Sequence, residues 1–188
     1  MHQHTDQFYI DKILQGDTQA FSVLVERYQT YVYTIVLRMV RVKEEAEEIA
    51  QDTFIKAYQS IGSFRGESKF SSWLYSIAYR KALDSIRKNK KYKAVELNEE
   101  ITEGSIETIE NALSYMEDKE RSKVIQECVL QLPEVEAGLI TLYYFEEKSV
   151  KEIAVITKLK EDNIKVKLYR SRKKMFTLLQ NYEVFKIS

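Results

Sequence analysis

Residues 149–175 read SVKEIAVITKLKEDNIKVKLYRSRKKM. Ser149 followed by Glu152 forms a capping box, in which a serine and a glutamate three residues on satisfy each other's backbone N–H groups. The box opens a short helix through Ile153, Ala154 and Ile156, which breaks at TKLKED and is followed by a longer helix carrying Lys165, Lys167, Arg170, Arg172, Lys173 and Lys174. A short helix, a tight turn and a longer basic helix make a helix-turn-helix, whose second helix enters the DNA major groove. Ile164 and Leu168, four residues apart, are expected to face inward. Upstream, Val124, Ile125, Val129 and Leu130 mark a helix that stops at Leu132–Pro133. Pro133 suits the first position of the next helix, which carries Leu139, Ile140, Leu142, Tyr143 and Phe145.

The other end of the chain repeats the helical rhythm. Asp17 caps a helix with Phe21, Leu24, Val25, Tyr28, Val32, Ile35, Val36 and Met39 on one apolar stripe. A second runs from about Lys43 to Ile61 and buries Ala46, Ile49, Ala50, Phe54, Ala57 and Tyr58. After GSFRGES a third places Phe70, Trp73, Leu74, Ile77, Ala78, Leu83 and Ile86 inside. With the short DQFYIDKIL segment these helices make a first domain over residues 1–92. Residues 93–119 are acidic, lack a clear stripe at their start and read as a flexible linker, helical only towards its end. Fully extended, such a linker reaches at most about 80 Å, enough to let two domains sit far apart. The second domain spans 120–188. Its tail, TLLQNYEVFKIS, is expected to extend the last helix and pack back through Leu178, Leu179 and Tyr182.

Composition supports this all-α reading. One proline and five glycines in 188 residues leave little room for the turns of an all-β fold. No apolar run approaches the ~18–20 residues of a membrane span, and MHQHTDQF lacks the apolar core of a signal peptide. The single cysteine, Cys128, excludes an internal disulfide and a cysteine zinc site and is expected to be a packed small hydrophobe. A cytoplasmic protein is expected, with no direct membrane insertion.

The formal net charge is zero, yet the charges are segregated. Glu44, Glu45, Glu47, Glu48 and Asp52 crowd one helix; Arg80, Lys81, Arg87, Lys88, Lys90, Lys91 and Lys93 crowd the next. With the basic last helix, two positive faces point to two contacts with a polyanion, and the acidic helix to a basic partner.

Two long motifs carry a family resemblance. AEEIAQDTFIKAYQSIGSFRGESKFSSWLYSIAYRKALDSIRK (46–88) and LPEVEAGLITLYYFEEKSVKEIAVITKLKEDNIKVKLYRSRKKM (132–175) resemble, in order and spacing, the two domains of extracytoplasmic-function (ECF) sigma factors, group four of the sigma-seventy family. The resemblance implies a subunit that docks on bacterial core RNA polymerase, recognises minus-ten and minus-thirty-five elements of promoter DNA and opens the duplex. It also implies an anti-sigma factor, often membrane-bound, as inhibitor. No cofactor, metal or catalytic residue is implied.

The residue types fit those roles. Glu45, Glu48 and Asp52 recur on one helix face beside Gln51; the resemblance implies that this face docks on a basic coiled coil of the polymerase. Phe64, Arg65 and Ser68, with Ser71 and Ser72 nearby, match the loop where the family captures an unpaired base. Base–aromatic stacking contributes about 1–3 kcal/mol, comparable to extruding one base. Trp73 and Phe70 are expected to pack inside, whereas Tyr75 and Tyr79 are expected to face outward. Arg80 stands where the family commonly has asparagine; it can contact guanine or hold a phosphate but cannot accept a hydrogen bond. Arg87, Lys88, Lys90 and Lys91 suit counterion-releasing phosphate contacts. In the second domain Asn163, Lys165, Val166, Lys167, Tyr169, Arg170, Arg172 and Lys173 match the helix that reads the minus-thirty-five element. Lys158 replaces the family's turn glycine, so a left-handed lysine is expected there. The linker's carboxylates resemble the family's connecting segment, which threads a polymerase channel.

A stand-alone helix-turn-helix transcriptional regulator would explain residues 121–182 but not the first domain. A pure interaction module would not explain two basic faces. An enzyme fits least: no HExxH or phosphate-cradling glycine loop occurs, and His2 and His4 sit in the polar N-terminal tail.

Overall fold

The computed structural model of the chain describes residues 4–89 and 118–180, which among themselves form helices and connecting turns without a strand. Helix α1 (Asp6–Leu14) is capped by the Thr5 hydroxyl, which accepts from the Phe8 amide. Asp6 anchors it to the next helix, accepting from the Arg27 guanidinium and, at 2.6 Å, from the Tyr28 hydroxyl. Helix α2 (Ala20–Val40) follows a turn in which Asp17 Oδ1 accepts from the Ala20 amide at 3.3 Å. Its predicted stripe is realised, with Leu24, Val32, Ile35, Val36 and Met39 wholly buried. Arg41 ends it in a left-handed conformation.

Helix α3 (Lys43–Ser60) lies against α2 and α4 through Ala46, Ile49, Ala50, Phe54 and Ala57. Tyr58, predicted inside, is instead 39% exposed and lays its ring edge on Phe21, 5.1 Å away. It falls at the rim of the stripe, where an amphipathic ring keeps its hydroxyl wet. A turn at Ile61–Ser63 and a loop with Gly66 at φ 71° lead into α4 (Phe70–Asn89).

The second half begins with α5 (Asp118–Gln131) and α6 (Glu134–Ile140), which widens into a π-turn at Thr141–Phe145. Pro133, predicted as the first helical residue, sits one place earlier: its ψ of 145° is extended and it caps α6. Leu139, Ile140 and Leu142 are buried, whereas Tyr143 and Phe145 are largely exposed. Helix α7 (Val150–Thr157) starts at the predicted capping box, with both reciprocal hydrogen bonds formed. Lys158 adopts the expected left-handed conformation, at φ 61°, before α8 (Glu161–Gln180). Cys128 is buried with Phe176 and Leu179 between α5 and α8. The tail beyond Gln180, including Tyr182, and linker residues 93–117 lie outside the described residues. No helix among the described residues is long and apolar enough to cross a membrane.

The two halves pack on each other. Helix α2 lies against α6 and α4 against α7, and one apolar core runs from Ile10 to Leu168. The two halves are closed on each other.

Candidate nucleic-acid interface

Helix α8 is divided by its 3.6-residue period. Ile164 and Leu168 are buried as expected, while Asn163, Lys165, Val166, Tyr169, Arg170 and Arg172 are exposed. Lys167 is half-buried, and the Ser171 hydroxyl beside it donates to its carbonyl at 2.8 Å. Lys165 lies 3.6 Å from Asp162, and the Lys173 ammonium stands 4.9 Å from the Tyr169 ring centroid. The Lys165–Asp162 ion pair is exposed and weak, so the Lys165 ammonium remains available to phosphates. The turn before α8 is fixed by the Ser149–Glu152 cap and by Thr157, whose hydroxyl accepts from the Leu159 amide at 3.3 Å.

The aromatic loop before α4 is organised around Phe64, Phe70 and Trp73, whose ring centroids lie 5.5–5.7 Å apart. Phe70 is buried, as predicted, whereas Trp73, expected inside, is only half-buried. Phe64 is half-buried too, so its ring both supports the loop and remains partly open. Arg65 is exposed and Ser68 half-buried. Beside them a cavity of about 320 Å³ is lined by Thr5, Asp6, Tyr28, Phe64, Gly66 and Ser68. The contribution of Thr5 and Asp6 was not foreseen: only the α1–α2 clamp brings them there. Burial and the adjoining Asp6 carboxylate push the Tyr28 hydroxyl well above its ordinary pKa, so it stays a neutral donor.

The expectation that Tyr75 and Tyr79 face outward is overturned. They are 2% and 1% exposed, because the second half of the chain covers them. The Tyr75 hydroxyl donates to Glu146 Oε2 at 3.1 Å, and burial followed by the Glu146 charge raises its pKa. Burial pushes Tyr79 up to about 12. Glu146, half-buried beside Tyr75, is itself raised by desolvation, against the pull of the Tyr75 hydroxyl, Lys148 and Arg38. Arg38 is buried, 3.8 Å over the Phe145 ring and 3.5 Å from Thr141 Oγ1. Lys69 reaches across to Glu152 at 3.0 Å, and Arg41 donates to the Leu132 carbonyl. This seam of polar contacts was not visible in the sequence, since each pair is separated by about as many residues as a whole domain holds.

Further along α4, Arg80 is exposed but folded back, donating to the Ser76 carbonyl and hydroxyl at 2.9 and 3.0 Å. Arg87 and Lys88 are exposed, the former 3.6 Å from Asp84. Lys90 and Lys91 lie outside the described residues. On α3 the acidic face is partly engaged at home: Asp52 pairs with Lys81 at 2.9 Å and Glu45 accepts from the Ser85 hydroxyl. Glu48 and Gln51 are exposed beside them.

The Sigma-70 region 2 family model matches residues 24–92, and the Sigma-70 region 4 model matches residues 122–175. The chain belongs to the sigma-70 family. Among relatives of this sigma factor, the RNA polymerase sigma-H factor of Pseudomonas aeruginosa is 31% identical over 184 residues, covering 95% of each chain. The ECF RNA polymerase sigma factor SigW of Bacillus subtilis is 35% identical over 169 residues, covering 87% of this chain and 90% of SigW. The fold is shared with the sigma factor RpoE of Bartonella quintana, solved with the anti-sigma factor NepR: TM-score 0.66 over 87% of this chain and 99% of that one, at 17% identity. It is shared also with CnrH, solved with the cytosolic domain of CnrY: TM-score 0.59 over 93% and 97%, at 18% identity. Carrying both sigma-70 regions in one chain, the protein is a promoter-directing sigma factor of RNA polymerase.

Proposed function

We propose that this sigma factor acts as a non-catalytic specificity subunit in the cytoplasm, using residues 1–92 as domain two, 93–119 as linker and 120–188 as domain four. Domain two docks core RNA polymerase through Glu45, Glu48, Gln51 and Asp52. Phe64, Arg65, Ser68, Arg80, Arg87, Lys88, Lys90 and Lys91 serve the minus-ten element; Tyr75 and Tyr79, buried beneath the second half, serve it only once the halves part. Asn163, Lys165, Val166, Lys167, Tyr169, Arg170, Arg172 and Lys173 serve the minus-thirty-five element, the cations on phosphates or guanine edges and Val166 on a thymine methyl. An anti-sigma factor is the expected inhibitor, as in the solved complexes of the RpoE and CnrH relatives.

The observation that carries this reading is the exposed basic face of α8 behind a capped helix and a left-handed turn, on a chain that also holds the aromatic loop. Mixing the purified protein with bacterial core RNA polymerase tests it. Co-elution with new, discrete transcripts from genomic fragments is expected. Tight binding of a discrete duplex without polymerase, and no transcript with it, would instead favour a stand-alone regulator.

A further inference from the structure

The reading face of α8 carries one charge of the wrong sign for DNA. Ile164 and Leu168 are buried and fix which way the helix is turned. At 3.6 residues per turn, Asp162, Val166 and Tyr169 recur at i, i+4 and i+7 on the side directly opposite them. All three are exposed, and the Asp162 side chain is 96% accessible. Exposed cations precede and follow it, at Lys158, Lys160 and Lys165. An acidic first turn suits the helix dipole wherever the side chain points. Glu161, about 100° round the helix from Asp162, meets that need from the flank. The dipole therefore does not call for a second carboxylate on the face turned towards the bases, where it must approach two rows of phosphates.

Base-edge chemistry does call for one. A carboxylate accepts from the N4 amino group of cytosine, and the N-terminal residues of the second helix of a helix-turn-helix contact the base edges. Resting on the proposed minus-thirty-five role of α8, we infer that Asp162 is a further specificity-determining residue, one that selects a cytosine in that element. In the free chain Lys165 Nζ lies 3.6 Å from Asp162 Oδ1 and steadies the carboxylate. On DNA this weak pair opens. The carboxylate then takes the cytosine amino group, and the ammonium a phosphate or a guanine edge. The rise of 1.5 Å per residue puts Val166 about 6 Å further along the helix axis. The selected cytosine therefore lies within about two base pairs of the thymine given to Val166.

The test uses holoenzyme reconstituted from the full chain and bacterial core RNA polymerase, with a promoter library randomised across the minus-thirty-five element. Sequencing the bound DNA gives the base preference at each position. Wild type is expected to favour cytosine at one position by about fivefold or more. Asp162→Ala is expected to flatten that position and leave the others unchanged. Asp162→Asn is expected to replace the cytosine by adenine there, because a side-chain amide pairs with adenine N6 and N7. Wild type without a preferred cytosine overturns the inference. A cytosine kept by both variants while every sequence binds more tightly overturns it too, since the carboxylate then only repels phosphates. So does a change spread evenly over all positions. A wild-type holoenzyme that selects no element at all overturns the sigma reading itself, and is thereby distinguishable from these results.

Discussion

The Tyr75 hydroxyl donates to Glu146 across the junction of the two halves, at 3.1 Å, although 71 residues separate them in the chain. Tyr75 is buried and Glu146 half-buried, so water only partly replaces a lost partner. Tyr75→Phe therefore leaves a partly desolvated carboxylate without its donor. Loss of about 1–3 kcal/mol is expected, read as a lower denaturant midpoint. In a double-mutant cycle with Glu146→Gln the two changes should be less than additive; full additivity would show that the contact contributes nothing.

Glu152 is held at a pKa of about 2, below the ordinary 4.5, first by the Lys69 ammonium and then by the Ser149 amide. A depressed carboxylate contributes stability above its unfolded pKa and loses it as pH falls through its folded one. Wild type should thus be more stable than Glu152→Gln at neutral pH, and the gap should close between about 4.5 and about 2. The raised Glu146 has the opposite sign but is common to both proteins, so it cancels in the difference. Thermal melts across that range check the expectation; a gap independent of pH would contradict it.

Lys158 sits at φ 61° and ψ 18° between α7 and α8. A left-handed conformation is unfavourable for any residue with a Cβ, and glycine adopts it freely. Lys158→Gly should raise stability by about 0.5–1 kcal/mol. Promoter binding is expected to change little, unless the lysine also holds a phosphate. The denaturant midpoint and the salt dependence of binding separate these two effects.

Arg170 is exposed on α8. If it neutralises one phosphate, Arg170→Ala reduces the slope of log affinity against log salt by about 0.9. The measurement is promoter binding by reconstituted polymerase over a salt series. An unchanged slope with altered sequence preference would assign Arg170 to a guanine edge instead.

The helices were legible because each is written locally. The stripe from Phe21 to Met39, the Ser149 box and the strain at Lys158 all depend on neighbours within a few residues. The reading helix was legible for the same reason: burying Ile164 and Leu168 leaves its cations outside. Tyr75 and Tyr79 were misread because period alone marks a face as separate from the domain core, not as wet. Their cover comes from residues 138–152, and nothing local announces a contact between Glu146 and Tyr75. Asp6 in the cavity wall was hidden similarly, since its place depends on Arg27 and Tyr28 holding α1 down. Tyr58 and Pro133 missed by one position, at a stripe's rim and a helix's start, where packing rather than periodicity decides.

Cys128 has one further consequence. It is the chain's only thiol, buried with Phe176 and Leu179 inside the second half and away from the junction. A buried thiol reacts with an alkylating reagent only when its surroundings open. Its labelling rate is therefore a built-in clock for local unfolding of α5 against α8. Parting the two halves as intact bodies should leave that clock unchanged, whereas melting of the second half should quicken it.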